Sequence, residues 1–149
     1  MTAIADETDI FEKYPMPPCA RTLGWSLLAR DAARGWVKLS FEARAEFCNG
    51  TGGVQGGFLA AMLDDTMGPA VIVASHGAFY AATIDMNVSF LKPAKAGRLF
   101  AEGRVVQLGK TVAFVEAQIS DADGALLARA TSSMRLLPME RFPLPAAAA

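Results

Sequence analysis

NGTGGVQGGFLAAMLDDTMGPAVIVASHG, residues 49–77, joins a glycine-rich polar loop to the longest apolar run in the chain. From Phe58 to Ala74 the run is broken only by Asp64, Asp65, Thr66 and the pair Gly68-Pro69. It is too long for an ordinary strand and predicts a helix, with Gly77, just past His76, as its C-terminal cap. Being apolar on nearly every side, such a helix must be buried on most of them. Two adjacent acids and a proline argue against a membrane span.

Working outward from the helix, the period changes to two. Between Thr83 and Phe90, Thr, Asp, Asn and Ser alternate with Ile, Met, Val and Phe. Further strands are expected at Leu99–Val106, Thr111–Ser120 and Ala125–Leu136. Pro93–Gly97, Leu108–Lys110 and Asp121–Gly124 read as the turns between them. Upstream, Thr22–Ala29 and Trp36–Phe41 read as strands joined by a turn at Asp31–Gly35. Links this short make the last four strands antiparallel and hairpin-connected. The expectation is an α+β fold, in which a curved antiparallel sheet of about six strands wraps around one long central helix. Residues 1–20 read as a helical or irregular lead-in ending at Pro15, Pro17 and Pro18, residues 21–137 as the domain, and residues 138–149 as a loose tail.

At 149 residues, 52% hydrophobic and 19% charged, the chain suits one domain with a large core and surface left to bury against another subunit. A formal net charge of −1 with scattered basic residues offers nothing to nucleic acid or to an anionic membrane. Cys19 and Cys48 form no Cys-x-x-Cys pair, which suits a reducing compartment and no structural metal. The acidic first residues do not resemble a signal peptide, so a cytoplasmic location is expected.

Several familiar sites fail on spacing. Gly103 to Thr111 ends in Gly-Lys-Thr but has one residue too many for a phosphate loop, and reads as a hairpin. Gly50-Thr51-Gly52 begins like a dinucleotide fingerprint, yet Gln55 stands where the third glycine belongs. No Gly-x-Ser-x-Gly elbow and no His-Glu-x-x-His occurs. His76 is the sole histidine and sits at a helix end, so acid–base work falls to carboxylates. Gly52-Gly53-Val54-Gln55-Gly56-Gly57 at a helix start lets a ligand approach the backbone and offers free N–H groups to developing negative charge. Asp64 has Ala60, Ala61, Met67 and Gly68 as its helical neighbours. That small, dry surround should raise its carboxyl pKa and suit it to general-base work, while Asp65 is expected to face water or to accept hydrogen bonds from neighbouring strands.

These residues resemble the hot-dog fold and, within it, the acyl-CoA thioesterases of the phenylacetic-acid-degradation type. That family's pattern is Asn-x-x-Gly-x-x-His-Gly-Gly, followed by an Asp nine residues after the His. Asn49, Gly52, Gly56 and Gly57 match it, Asp64 falls at the Asp, and Gln55 replaces the His. Thr83-Ile84-Asp85-Met86-Asn87 resembles the strand that supplies a Ser or Thr, and Leu91-Lys92-Pro93-Ala94 the turn after it. The resemblance implies hydrolysis of an aryl or short- to medium-chain acyl-CoA without a cofactor. In it Asp64 serves as base or nucleophile, and the Gly56 N–H, aided by the Gln55 amide, polarises the carbonyl. Asn49 positions water and Thr83 assists Asp64. Gln55 can donate a hydrogen bond but cannot carry a proton. Gly57 lies beside the donors; Phe47, Phe58 and Tyr80 are candidates to line an acyl pocket; Lys92, Lys95, Arg98 and Lys110 are candidates to meet the coenzyme A phosphates.

Asp64 lies eight residues past Gly56, about 12 Å along a helix. One carbonyl needs base and oxyanion donor each within roughly 3 Å. Two antiparallel copies of the helix about a two-fold axis satisfy this, so a homodimer is expected. A dimer of dimers is a further expectation that does not come from the helix pair. Two other readings stay open from sequence: a hydratase or dehydratase of the same fold, and a non-catalytic acyl-thioester binding module.

Overall fold

Alternation in the strands and continuous apolarity in the helix give a single sheet curled around one helix. In the computed structural model, residues 9–142 are described. The elements are α1 (Asp9–Glu12), α2 (Pro18–Leu23), β1 (Ser26–Asp31), β2 (Trp36–Ala43), α3 (Gly56–Ala74), β3 (Phe79–Phe90), β4 (Gly97–Leu108), β5 (Val112–Ser120) and β6 (Leu126–Pro138). All six strands join one antiparallel sheet in the order β1-β2-β4-β5-β6-β3. Leu59, Met62, Leu63, Thr66, Met67, Ala70, Val71 and Val73 of α3 are buried among Val37, Leu39, Leu99, Val115, Ile119 and Met134 of the strands. Although α3 has the length and hydropathy of a membrane span, its place is the core of this sheet.

Closest approach of helix and sheet occurs at Gly103, where a Cβ would stand 3.0 Å from Thr66 Cγ2 and from the Thr66 carbonyl oxygen. The glycine that opens the false phosphate-loop pattern is thus a packing glycine. Gly109 at the other end of that pattern turns the β4–β5 hairpin, its N–H donating to Val112 O at 3.0 Å.

Three expectations need correction. Pro18 starts a helix instead of ending the lead-in, because proline at a first helical position lacks only an N–H that would have no partner anyway. Thr22 and Leu23 therefore lie in α2, and β1 begins after Gly24, whose φ of 68° closes the helix. Ala20 and Leu23 are buried, and the Phe11 ring packs 5.6 Å from that of Trp25, so this segment covers part of the domain. Secondly, β3 does not form a hairpin with β4. One edge of β4 is taken by β2 and the other by β5, so β3 lies at the far side of the sheet against β6. The link between them passes the start of α3, where Val54 N–H donates to Ala94 O at 2.8 Å. Thirdly, the alternation in β3 is interrupted: its register with β6 shifts between Thr83 and Asp85, and Ile84 is the extra residue of a bulge. Beyond β6, Met139–Arg141 form a 3₁₀ turn, and the rest of the expected tail, from 143 onward, lies outside the described residues.

Candidate functional site

After β2, a 3₁₀ turn at Ala45–Phe47 buries Phe47, whose ring stacks on Phe58 with centroids 4.3 Å apart. The chain then closes on itself. Asn49 N–H donates to Gly53 O and Gln55 N–H to Phe47 O, both at 2.8 Å. Asn49 Oδ1 accepts from Thr51 N–H at 3.0 Å and from Thr51 Oγ1 at 2.6 Å, which leaves the Asn49 Nδ2 amide to face outward, with no acceptor among the described residues. Gly52 carries a φ of 86° in this loop. Gln55 is the N-terminal cap residue of α3, extended and making no capping bond; its side chain folds over Gly57, where a Cβ would stand 2.7 Å from Gln55 Oε1. Phe58 and Leu59 N–H turn back to Gln55 O at 3.0 and 3.5 Å. Gly56 and Gly57 N–H thus have no acceptor among the described residues, at the positive end of a 19-residue helix.

Two turns along α3, Thr83 Oγ1 donates to Asp64 Oδ1 at 2.7 Å. Strict alternation would put Thr83 on the opposite face of β3 from Met86, Val88 and Phe90. The bulge removes that conflict: Ile84 is turned out, 58% exposed, and Thr83 shares the helix-facing side with Phe90. Asp85 and Ser132 hold the bulge: Ser133 N–H donates to Asp85 Oδ1 at 3.2 Å and Ser132 Oγ to Asp85 O at 2.8 Å.

The expected contrast between the two acids does not hold. Asp64 is partly exposed and hydrogen-bonded, while Asp65 carries a buried Oδ2 without a hydrogen-bond partner. Burial pushes the Asp65 carboxyl up from 3.8 to about 6, and the neighbouring charge of Asp64 acts in the same direction. Pro69 lacks the N–H that would bond to Asp65 O in a regular helix, and Trp25 Nε1 donates to that free carbonyl at 3.1 Å. The residue next to Asp64 is therefore covered by the N-terminal segment, forty positions earlier in the chain.

Besides Gly56, an open hollow of about 280 Å³ is lined by Val54, Leu59, Phe90, Leu91, Lys92 and the Pro93-Ala94 turn. Of the sequence candidates, Gly56 and Lys92 meet here, and Gln55 and Gly57 flank Gly56 in the chain. Phe58 belongs to the packed wall behind, on Phe47. Lys110 lies in the β4–β5 hairpin, at the end of β4 remote from Gly97, which pairs with Ala43 near the loop. Arg98 is engaged by Ser40 Oγ at 3.2 Å, and Tyr80 packs on Phe142. His76, at φ 52°, lies beyond the C-terminal end of α3, about three turns from Asp64. A second hollow, of about 410 Å³, opens on the outer face of the sheet between Trp36, the Arg104–Glu116 ion pair and Arg129, and includes none of the candidates. Phe90 takes the face that alternation with Met86 and Val88 gives it, but no local signal shows that its ring meets Gly56, thirty-four positions earlier.

Within one chain the candidate groups fall into two halves. Asp64 and Thr83 form one; the uncapped Gly56 and Gly57 N–H groups, Gln55 and the Phe90 hollow form the other. Eight residues of one unbroken helix separate them, about 12 Å.

Known proteins share this arrangement of elements. A phenylacetic acid degradation-related protein of Ralstonia eutropha JMP134, described as a thioesterase, is 36% identical with a TM-score of 0.80, over 85% of this chain and 95% of that one. A Streptococcus pneumoniae TIGR4 protein described as a thioesterase and solved with coenzyme A has the same fold, at 23% identity and a TM-score of 0.69, over 76% of this chain and 89% of that one. A protein of Saccharolobus solfataricus that carries an esterase name is 32% identical, over 70% of this chain and 74% of its own length. The sequence model of the Thioesterase superfamily matches residues 40–128, which run from β2 through α3 into β6. The chain belongs to the thioesterase superfamily.

Proposed function

We propose that the protein hydrolyses the thioester of an acyl-coenzyme A, with an aryl or a short- to medium-chain acyl group, to the free acid and the thiol. The observation that carries this reading is the pairing, on one helix, of uncapped N–H groups at Gly56 and Gly57 with an Asp64 carboxylate oriented by Thr83 at 2.7 Å. The Gly56 N–H, with the Gln55 amide beside it, donates to the carbonyl oxygen and stabilises the negative charge that grows there. Asp64 removes a proton from water held by the Asn49 amide, or attacks the carbonyl itself. The C–S bond then breaks. In the first route the proton taken up by Asp64 passes to the departing sulfur and coenzyme A leaves as the thiol. In the second it leaves as the thiolate, which is protonated by solvent, and water then opens the acyl-Asp64 anhydride to give the free acid. A single turnover in ¹⁸O-water reports the covalent route. Where water opens the anhydride at the Asp64 carbonyl, the label enters the Asp64 carboxylate and is absent from the first acid released, whereas direct attack by water puts the label in that acid.

Each complete site takes its halves from two chains. β3 is one of the two edge strands of the sheet, and its outer side has no partner among the described residues. Two β3 strands paired antiparallel across a two-fold axis bring the Thr83 end of one beside the Phe90 end of the other. Asp64 of one chain then faces Gly56 of the other.

The test is a panel of acyl-coenzyme A thioesters with release of free thiol as the readout. Asp64→Asn should lower kcat by 10²–10⁴-fold, the usual weight of a positioned base, while Asp65→Asn keeps most of the activity. Equal losses in the two variants would overturn the assignment of Asp64.

A further inference from the structure

The hollow at the start of α3 has one wall whose position is unusual. Phe90 is 54% exposed, yet the edge of its ring rests on the first residue of the helix. A Cβ at Gly56 would stand 3.1 Å from Phe90 Cζ and 3.2 Å from Cε1, so only glycine leaves the ring its place. The ring also lines the hollow. The remaining walls, Val54, Leu59 and Pro93, are apolar, and Lys92 supplies the one charge.

We infer that Phe90 selects the substrate at the acyl α-carbon: it admits straight acyl groups and excludes those branched next to the thioester carbonyl. The inference rests on the hydrolase reading above. A carbonyl oxygen bound by the Gly56 N–H lies about 2.9 Å from that nitrogen. The α-carbon, two bonds from the oxygen, then sits against the same helical turn that the Phe90 ring covers. A straight chain runs past the ring edge into the hollow. A methyl branch at the α-carbon must displace either the ring or the carbonyl from its donor. Atoms of the acyl group further out meet Val54, Leu59 and Pro93, so the control is local to the α-position. Ile84 takes part indirectly, because the bulge is what turns Phe90 and Thr83 to the same face.

The experiment compares kcat/KM for butyryl-coenzyme A with that for its α-methyl isomer, isobutyryl-coenzyme A, within each variant. Wild type should favour the straight chain by tenfold or more, the usual penalty for forcing a methyl into a filled site. Phe90→Ala should bring the ratio close to one. Phe90→Trp, which keeps an aromatic ring in place should Phe90→Ala fail to fold, should raise the ratio above that of wild type. A folded Phe90→Ala with the wild-type ratio, or a wild type indifferent to branching, overturns the role of Phe90 while leaving the thioesterase reading standing. Absence of hydrolysis across the whole panel in wild type overturns that reading first, and this inference with it.

Discussion

Asp64 and Asp65 are chemically identical neighbours, and the difference between them comes from what covers each. Asp64 points along the helix toward Thr83, whereas Asp65 has a buried Oδ2 without a partner. With its folded value near 6 and its ordinary value at 3.8, Asp65 binds a proton more tightly in the folded chain than in the unfolded one. Its contribution to stability is present in full below about pH 4 and is lost as the pH rises through about 6. Asp65→Asn has no proton to lose, so it should be the more stable protein at pH 7.5, by about 1–2 kcal/mol once solvent screening is allowed for. Denaturant melts at pH 4.5 and pH 7.5 check this; a variant less stable than wild type at pH 7.5 would refute it. A pH–rate limb near 6 that disappears in Asp65→Asn then belongs to this carboxyl. None of this was legible in the sequence. Ala60, Ala61, Met67 and Gly68 are small and apolar around Asp64, but the backbone of Asp65 is engaged by Trp25 at the carbonyl that Pro69 leaves free, a contact with no local signature.

Among the elements, α3 was the easiest to read and β3 the hardest. Seventeen residues without a polar face admit little besides a central helix, and the helix found begins two residues earlier, at Gly56. In β3 the alternation from Thr83 to Phe90 is unbroken in the sequence, because the bulged Ile84 is as apolar as the residues that face the core. The bulge is visible only in the pairing with β6, and so is the shared face of Thr83 and Phe90. Its latch can be tested apart from the chemistry. Asp85→Ala removes the acceptor of Ser133 N–H and should cost about 1 kcal/mol of stability. It should also lower kcat three- to tenfold with little change in KM, because Thr83 loses its aim at Asp64. Asp85→Asn keeps the oxygen and should restore most of both. If Asp85→Ala destabilises the protein and leaves kcat intact, the bulge does not position Thr83.

For the whole molecule, the decisive question is whether one chain or two make a site. Gly56→Pro is a fitting lesion, because proline is favoured at a first helical position and Gln55 already has the extended backbone, φ −63° and ψ 136°, that a following proline requires. The change deletes the N–H and spares the helix, and the displacement of the Phe90 ring by the proline Cβ falls within the same half-site. Asp64→Asn and Gly56→Pro, each inactive alone, are unfolded, mixed and refolded together. With random pairing, half of the dimers are mixed and each of these holds one intact site, so activity should return to about one quarter of wild type. Mixed dimers without activity would place each site within a single chain. The order of strands also gives the molecule a history. β2, β4 and β5 are neighbours that are all synthesised by Ser120, but the partner of β3 is β6, which ends at Pro138. On an elongating chain, α3 already carries Asp64 while the strand bearing Thr83 has nothing to pair with, and pairings between distant segments are the slow ones to form. The part of the protein on which turnover depends is thus the last to come into existence, and a chain arrested before Ala128 has a helix and most of a sheet but no working hydrolase.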